Sequence, residues 1–445
     1  VMDVRSDAVV LFGVTGDLVS KKLFPALYEL TRRGRVPATV IGFARSPWDQ
    51  QQLVTAARKS VTEAGIDVDE DVFEDLAGRL SMISGDYADP ETYARLADAL
   101  AGAERPLFYF AIPPAVFDAV VEGLKGAGLA DRGRVVVEKP FGHDLASSHE
   151  LAATLRGAFA PERTFRIDHY LGKEPVEGIT LFRFANAVFE PLWNREHIAS
   201  VQVTVAEKFS TQGRAGFYDK VGATRDVLQN HILQVVALLA MEEPADDTQE
   251  AFQAAEAAVL RQAAALSPET TVRGQYEGYR DEPGVATGSQ TETFVATRLT
   301  VDNERWAGVP FYLRTGKSMP VTSTEVVVEF KGAKPGTGNL LRFQLGKKDG
   351  ISLTVQVKRP GADVTAQTVS LAVDFDDVLE PRREAYERLL DDAMDGEHLR
   401  FAREQAIEQE WRIVEPILDL ESGVLAYPQG SWGPDEADAL AGGWA

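Results

Sequence analysis

The sequence predicts a doubly wound α/β (Rossmann) domain over residues 1–170, followed by a larger α+β domain with a mainly antiparallel sheet over residues 171–445. Three observations carry this expectation. In the first part, short apolar, β-branched runs recur about every 25–35 residues with helical patterns between them. Several of these runs are continuous, as in strands covered on both faces of a parallel sheet. Beyond residue 171 many runs alternate apolar and polar, as half-buried antiparallel strands do.

The predicted strands of the first domain span 8–13, 39–45, 81–87, 107–112, 134–139 and 164–169. A helix is expected over 21–33, where Leu23, Leu27 and Leu30 fall at helical spacing. Asp89-Pro90 reads as an N-cap with proline in the first turn of a helix over 91–100. Helices over 115–124 and 145–155 fill the remaining gaps, and the alternation is that of a doubly wound sheet. In the second domain, strands are expected at 201–206, 292–301, 325–330, 351–357 and 368–375. Helices are expected at 221–241, 248–265, 385–395 and 403–420. Segments 281–290 and 332–338 read as surface loops rich in glycine and proline, and the tail after Gly423 as irregular.

Acidic residues number 68 and basic residues 46, a net charge of −22. That balance argues against a nucleic-acid or anionic-membrane partner, because both need a positive field. An anionic ligand would have to be held by a few local bases. The absence of cysteine excludes disulfides, thiolate metal sites and a cysteine nucleophile, and no metal is expected. There is no apolar run of 18 residues, and residues 1–5 do not begin a signal peptide, so a soluble cytoplasmic protein is expected.

Doubly wound sheets bind ligands outside the carboxyl ends of their strands. Those ends read Gly13, Arg45, Gly85-Asp86, Ile112-Pro113-Pro114, Glu138-Lys139-Pro140 and Asp168-His169. The turn Gly13-Val14-Thr15-Gly16-Asp17-Leu18 lies between the first strand and first helix. A dinucleotide pyrophosphate needs backbone N–H groups there and no side chain in the way, so Gly13, Thr15, Gly16, Asp17 and Leu18 are candidate contacts. A tight strand-to-helix turn is the plainer alternative. The second strand ends in Arg45 and Ser46 with no acid to bind a ribose 2′-hydroxyl, which favours NADP, with NAD as the weaker alternative. A solvated loop cation is the other reading of Arg45.

Of six histidines, two stand out. His169 lies in Arg166-Ile167-Asp168-His169-Tyr170-Leu171-Gly172-Lys173-Glu174, where His169, Tyr170 and Lys173 could hold a phosphate. His231 shares 225–234 with five other polar side chains in an otherwise apolar helix, which means either a structural hydrogen-bond network or a polyol site.

These residues resemble the glucose-6-phosphate dehydrogenases. The marks are the glycine turn with Lys21-Lys22, Glu138-Lys139-Pro140-Phe141-Gly142, the nine residues 166–174, Arg225-Asp226 with Gln229-Asn230-His231, and Arg314-Thr315-Gly316-Lys317. Further marks are Ala385-Tyr386-Glu387-Arg388-Leu389 and Ser431-Trp432-Gly433-Pro434, so the resemblance runs in order from about residue 8 to 436. It implies NADP-dependent oxidation of glucose 6-phosphate to 6-phospho-glucono-1,5-lactone, the first step of the oxidative pentose phosphate pathway. It implies His231 as general base on the C1 hydroxyl, with Asp168 paired to it. His169, Tyr170 and Lys173 match phosphate-binding positions, and Lys139 a lysine bridging sugar and nicotinamide. Glu207 and Asp226 match carboxylates on sugar hydroxyls, Lys317 a further basic substrate residue, and Lys22 a lysine near substrate and cofactor. A homodimer or homotetramer pairing through the large sheet is also implied. Two departures stand out: Thr322 occupies a position that is commonly basic, and Arg359 replaces a usual glutamine, where it could restore the lost charge. Another aldose phosphate, a free aldose, or a nucleotide-binding scaffold without catalysis are the competing readings.

Overall fold

The computed structural model describes residues 5–211, 213–332, 338–346, 348–420 and 423–444. The predicted loop 332–338 and the first four residues lie largely or wholly outside them. The chain divides into two compact units, Val1–Lys173 with Arg383–Glu404, and Glu174–Arg382 with Gln405–Ala445. This differs from the single expected boundary after residue 170, because 383–404 returns to the first unit.

The first unit is built on β1 (Ala8–Phe12), β2 (Thr39–Ala44), β3 (Leu80–Ser84), β4 (Pro106–Phe110), β5 (Arg134–Glu138) and β6 (Thr164–Ile167). They pair in the order β3-β2-β1-β4-β5-β6, all parallel. The order reverses between β1 and β4, so their carboxyl ends open the crevice where such sheets bind ligands. β1 and β4 are buried along their whole length, which is why they read as continuous apolar runs. The first helix starts before the expected Lys21: helical turns begin at Asp17, and Val19–Leu23 forms a π-helix ahead of the α-helix Phe24–Arg32. Pro25 is the local cause, since it has no N–H to return to the Lys21 carbonyl.

The returning segment is held by apolar packing and by charge. Leu389, Leu390, Ala393, Met394 and Phe401 join the core formed by Val9, Leu11, Leu27 and Phe165. Around them, Asp391 receives Arg5 (2.8 Å), Arg35 (2.9 Å) and Arg383 (2.9 Å), while Glu387 receives Arg33 (2.8 Å) and Arg383 (2.7 Å). Burial pushes the Asp391 carboxyl up, but hydrogen bonds from Arg383, Arg35 and Arg5 win and hold it below the usual value.

The second unit carries β7 (Ile198–Ala206), β8 (Thr271–Tyr276), β9 (Phe294–Leu299), β10 (Phe311–Gly316), β11 (Ser323–Phe330), β12 (Leu340–Leu345), β13 (Asp349–Lys358), β14 (Ala366–Asp374) and β15 (Leu425–Tyr427). They form one sheet in the order β14-β13-β12-β11-β7-β10-β9-β8-β15. Pairing is antiparallel except for β7 with β10 and β8 with β15. The tail after Gly423 is not irregular: it supplies β15 and the helix Asp435–Ala441. The helix expected over 221–241 is a π-helix at Thr224–Ile232 continued by an α-helix at Leu233–Ala240. No helix among the described residues is long and apolar enough to cross a membrane.

Asp391→Asn removes the anion shared by three arginines and leaves Arg5 and Arg35 to Asp395 and Arg383 to Glu387. It should destabilise the protein by about 2–3 kcal/mol, less than for a fully buried pair because the arginines are partly solvated. Because the folded-state pKa of Asp391 is depressed, its contribution is present above the ordinary aspartate pKa and fades as the pH falls through the depressed value. Denaturant unfolding followed from neutral pH, through the ordinary aspartate pKa, down to about pH 2 should therefore show the gap between wild type and variant persisting to about pH 4 and narrowing below it.

Candidate active site

At the carboxyl end of β1, Gly13 has φ +78°, and a Cβ there would lie 2.3 Å from the Ala111 carbonyl oxygen. No L side chain fits that turn, because Ala111 and Ile112 after β4 fill the space a Cβ would need. Gly13 N–H donates to the Phe43 carbonyl (2.8 Å), and Gly16 N–H to the Gly13 carbonyl (2.9 Å). Thr15 Oγ1 lies 3.4 Å from Ser46 Oγ, so the turns after β1 and β2 adjoin. Asp17 forms an exposed ion pair with Lys21 (2.9 Å), and Leu18 packs against the core. The exposed Arg45 places its guanidinium 5.8 Å from the ring of Tyr87, which stacks on Phe43 at 5.6 Å. Burial pushes the Tyr87 phenol up, while Arg45 and a hydrogen bond with the Gly13 backbone draw it down. The sequence reading missed Tyr87, although it ends the predicted third strand directly after Gly85-Asp86.

At the other end of the sheet, β6 delivers Asp168, 2% exposed, with Oδ1 accepting from the Tyr170 N–H (2.9 Å). Burial pushes its carboxyl up, against the pull of His169, the Tyr170 N–H, Lys139 and Lys173. The Lys173 ammonium lies 3.5 Å from the centroid of the Tyr170 ring. Burial brings its pKa down to about 8; Asp168 opposes this, while Lys22 and Lys139 repel it further. The ring of His169 meets Tyr170 edge-on at 5.1 Å and lies nearly parallel to Tyr386 at 6.3 Å. Lys139, His169 and Lys173 thus concentrate positive charge around one carboxylate, with Lys22 close to Lys173, in a chain of net charge −22.

Glu138, immediately before Lys139, is a site residue whose role the sequence did not suggest. Its carboxylate accepts a short hydrogen bond from the Tyr109 hydroxyl. Burial raises its pKa to about 7; Tyr109, Lys139 and Tyr386 oppose the rise and Asp168 adds to it. Tyr386 belongs to the returning segment 383–404, so nothing in the local sequence around Glu138 announces it.

In the second unit, parallel pairing of β7 with β10 sets Ala206 opposite Gly316, so the residues that follow, Glu207 and Lys317, come side by side. Lys317 is 7% exposed, ion-paired to Glu207 (2.5 Å) and 3.8 Å from Asp226. Its ammonium also lies 4.8 Å from the ring centroid of Tyr218. The Tyr218 phenol is raised by burial first, then by Asp226 and Glu207, and is a second tyrosine that the sequence reading missed. The polar helix around His231 divides by role. Gln229 (3.5 Å) and Gln234 (2.5 Å) donate to the buried Glu410, and Asn230 donates to the Arg225 carbonyl (3.2 Å). Those three are structural, whereas Asp226 belongs to the Lys317 cluster. His231 is 3% exposed, one residue after Asn230, whose Oδ1 accepts from the His231 N–H (2.6 Å).

Thr322 is exposed, and its hydroxyl accepts from the Lys208 N–H (3.1 Å). The suggestion that Arg359 restores the missing charge is not supported within the chain. Register runs Glu325 to Gln344 to Gly350, so the start of β11, beside Thr322, is level with the start of β13. Arg359 follows the far end of β13, about 30 Å away along the strands.

Six parallel strands in this order, with a glycine turn after the first, define the class of dinucleotide-binding α/β folds. The comparisons with known proteins narrow the class. Residues 10–178 match the model of the glucose-6-phosphate dehydrogenase NAD binding domain, and residues 180–443 that of the C-terminal domain. The chain is 43% identical to glucose-6-phosphate 1-dehydrogenase 1 of Mycobacterium tuberculosis, over 98% of this chain and 95% of the relative. It is 37% identical to glucose-6-phosphate 1-dehydrogenase of Bacillus subtilis, over 97% and 96%. The crystal structure of glucose-6-phosphate 1-dehydrogenase from Mycobacterium avium superposes with a TM-score of 0.92 at 43% identity, over 99% and 98% of the two chains. A glucose-6-phosphate dehydrogenase in complex with its substrate glucose-6-phosphate gives 0.92 at 33% identity, over 99% of each chain. The chain belongs to the glucose-6-phosphate dehydrogenase family.

Tyr109→Phe removes the hydroxyl that lowers the Glu138 pKa, so Glu138 should titrate above its present value of about 7. Carbon-13 NMR of glutamate-labelled protein, with Glu138→Gln to assign the resonance, checks this; an unmoved or lowered midpoint contradicts it.

Proposed function

We propose that the protein oxidises D-glucose 6-phosphate to 6-phospho-D-glucono-1,5-lactone, with NADP preferred to NAD as acceptor. One observation carries the phosphorylated substrate: Lys139, His169 and Lys173 gather around Asp168, with Lys22 beside Lys173, despite the net charge of −22. Such a cluster of like charges is stabilised by a bound dianion. The Gly13 turn follows β1 where the strand order reverses, the place at which such sheets take a dinucleotide. Gly13, Thr15, Gly16, Asp17 and Leu18 would hold its pyrophosphate, Arg45 and Ser46 its 2′-phosphate, and Lys22 would lie near it. When bound, NADP supplies the hydride acceptor.

His231 takes the proton from the C1 hydroxyl as C1 loses hydride, and Asp168 pairs with it and stabilises the imidazolium. A buried anion suits that task, since its attraction for a cation is little screened. His169, Tyr170 and Lys173 bind the 6-phosphate, Glu207 and Asp226 accept from the sugar hydroxyls, Lys317 holds those carboxylates and the sugar, and Lys139 bridges sugar and nicotinamide. The protein works as a homodimer or homotetramer pairing through the large sheet; Leu371 (59% exposed) and Val373 (48%) on β14 support that face. A cytoplasmic location agrees with the Arabidopsis thaliana relative named cytoplasmic.

Initial rates with glucose 6-phosphate, glucose and galactose 6-phosphate, each with NADP and NAD, test the reading. Equal rates on glucose and glucose 6-phosphate would overturn the phosphate assignment. His231→Asn should lower kcat by at least about 10²-fold with little change in substrate affinity; an unchanged kcat under rate-limiting chemistry removes His231 from the role of base. Arg45→Ala should weaken NADP by roughly 10- to 150-fold and leave NAD nearly untouched, because a charge-assisted hydrogen bond to the 2′-phosphate is lost. Equal weakening of both cofactors would mean that Arg45 does not contact that phosphate.

A further inference from the structure

Lys317 sits on backbone that is bonded on every side. Its N–H donates to the Thr293 carbonyl (2.9 Å), and its own carbonyl accepts from the Tyr427 hydroxyl (2.7 Å). The next residue, Ser318, has φ +52°, a left-handed conformation that non-glycine residues rarely occupy. Ser318 N–H donates to the Phe209 carbonyl (3.0 Å), and its carbonyl accepts from the Gly430 N–H (2.6 Å). Met319 N–H closes the turn onto the Glu207 carbonyl (3.0 Å). Tyr427 is fully buried, its ring 5.6 Å from Phe294 and its hydroxyl 3.0 Å from that of Thr293. A little upstream, the buried Arg314 has its guanidinium 4.5 Å and 4.2 Å from the ring centroids of Trp432 and Trp444. Tyr427, Gly430, Trp432 and Trp444 all come from the C-terminal segment.

A strained backbone conformation persists only where its surroundings over-determine it. Here the strained residue adjoins Lys317, which meets both Glu207 and Asp226, and two of its restraints come from the tail. Relaxation of Ser318 to φ below zero would swing the Lys317 peptide and carry its ammonium away from both carboxylates.

We propose that the C-terminal segment is a positioning element for the sugar-binding cluster. Tyr427 and Gly430 hold the Lys317–Ser318 backbone in its left-handed turn and so aim the Lys317 ammonium between Glu207 and Asp226. The proposal rests on the reading of Lys317 as a substrate-binding residue.

The test is steady-state kinetics on the full chain, with glucose 6-phosphate and NADP titrated separately. Tyr427→Phe keeps the ring and removes the donor to the Lys317 carbonyl. It should raise KM for glucose 6-phosphate by about tenfold while KM for NADP stays within about twofold. Ser318→Val leaves the tail intact and makes φ +52° costlier; it should give the same split and serves if Tyr427→Phe folds poorly. Adding Ser318→Gly to Tyr427→Phe should return KM to within about threefold of wild type, because glycine adopts the turn without strain. Lys317→Ala is measured alongside. If it leaves KM for glucose 6-phosphate unchanged, the substrate reading of Lys317 falls, and with it this proposal. If Lys317→Ala raises that KM but Tyr427→Phe and Ser318→Val do not, positioning by the tail is overturned and the substrate reading stands. A rise in both KM values together, or no rescue by Ser318→Gly, likewise overturns it, since Tyr427 would then act through the fold at large.

Discussion

Parallel strand pairing is the constraint on which the rest of the structure depends. Strands that run the same way end on the same edge, and their carboxyl-terminal residues share a neighbourhood without being neighbours in sequence. In the first unit this gathers Gly13, Arg45, Glu138 and Asp168 along one edge of a single sheet. In the second unit the sheet is mainly antiparallel, and the parallel pair β7–β10 falls where Glu207 and Lys317 need to meet. An antiparallel β10 would send Lys317 to the opposite edge. Both clusters of charge therefore follow from strand direction before any side chain is considered.

Charge is then managed locally. Asp168 and Glu138 are carboxylates that burial drives toward the neutral form, and Lys173 is an ammonium that burial drives the same way. Their mutual attraction only partly offsets the desolvation. Lys22, Lys139 and Lys173 also repel one another, so the cluster is more stable with an anion among them than without one. Lys317 is in a different position, with Glu207 and Asp226 already supplying its countercharge. The first unit's lysines thus stand ready for an anion, and the second unit's lysine for neutral hydroxyls that share its carboxylates.

Much of this was legible in the sequence, for physical reasons that differ from element to element. Strands buried on both faces, such as 9–11 and 135–137, leave an uninterrupted apolar record, and the nine residues 166–174 concentrate chemistry too densely to overlook. β10 was harder, because Arg314 and Thr315 are polar yet buried, which disguises a central strand as a loop motif. β15 has three residues and no periodicity to detect. Apart from Tyr170, the roles of the tyrosines were not legible. Tyr87, Tyr109, Tyr218, Tyr386 and Tyr427 act through single hydroxyls or ring faces, and a lone tyrosine in an apolar run looks like core. Arg359 shows the opposite case: a charge of the right sign in the sequence lies, within one chain, about 30 Å along the strands from Thr322.

The return of 383–404 to the first unit has a consequence for biosynthesis. The core of that unit includes Leu389, Leu390, Ala393, Met394 and Phe401, so it cannot close when the ribosome finishes residue 173. Domains commonly fold in turn as they emerge, the N-terminal one first. Here the nucleotide-binding unit must wait, with part of its apolar face uncovered, until nearly the whole chain has been made. Its arginines Arg5, Arg33 and Arg35 wait with it, unpaired with the acids of the helix Ala385–Asp395. The last-made part of the first unit therefore sets the time at which the first-made part becomes native.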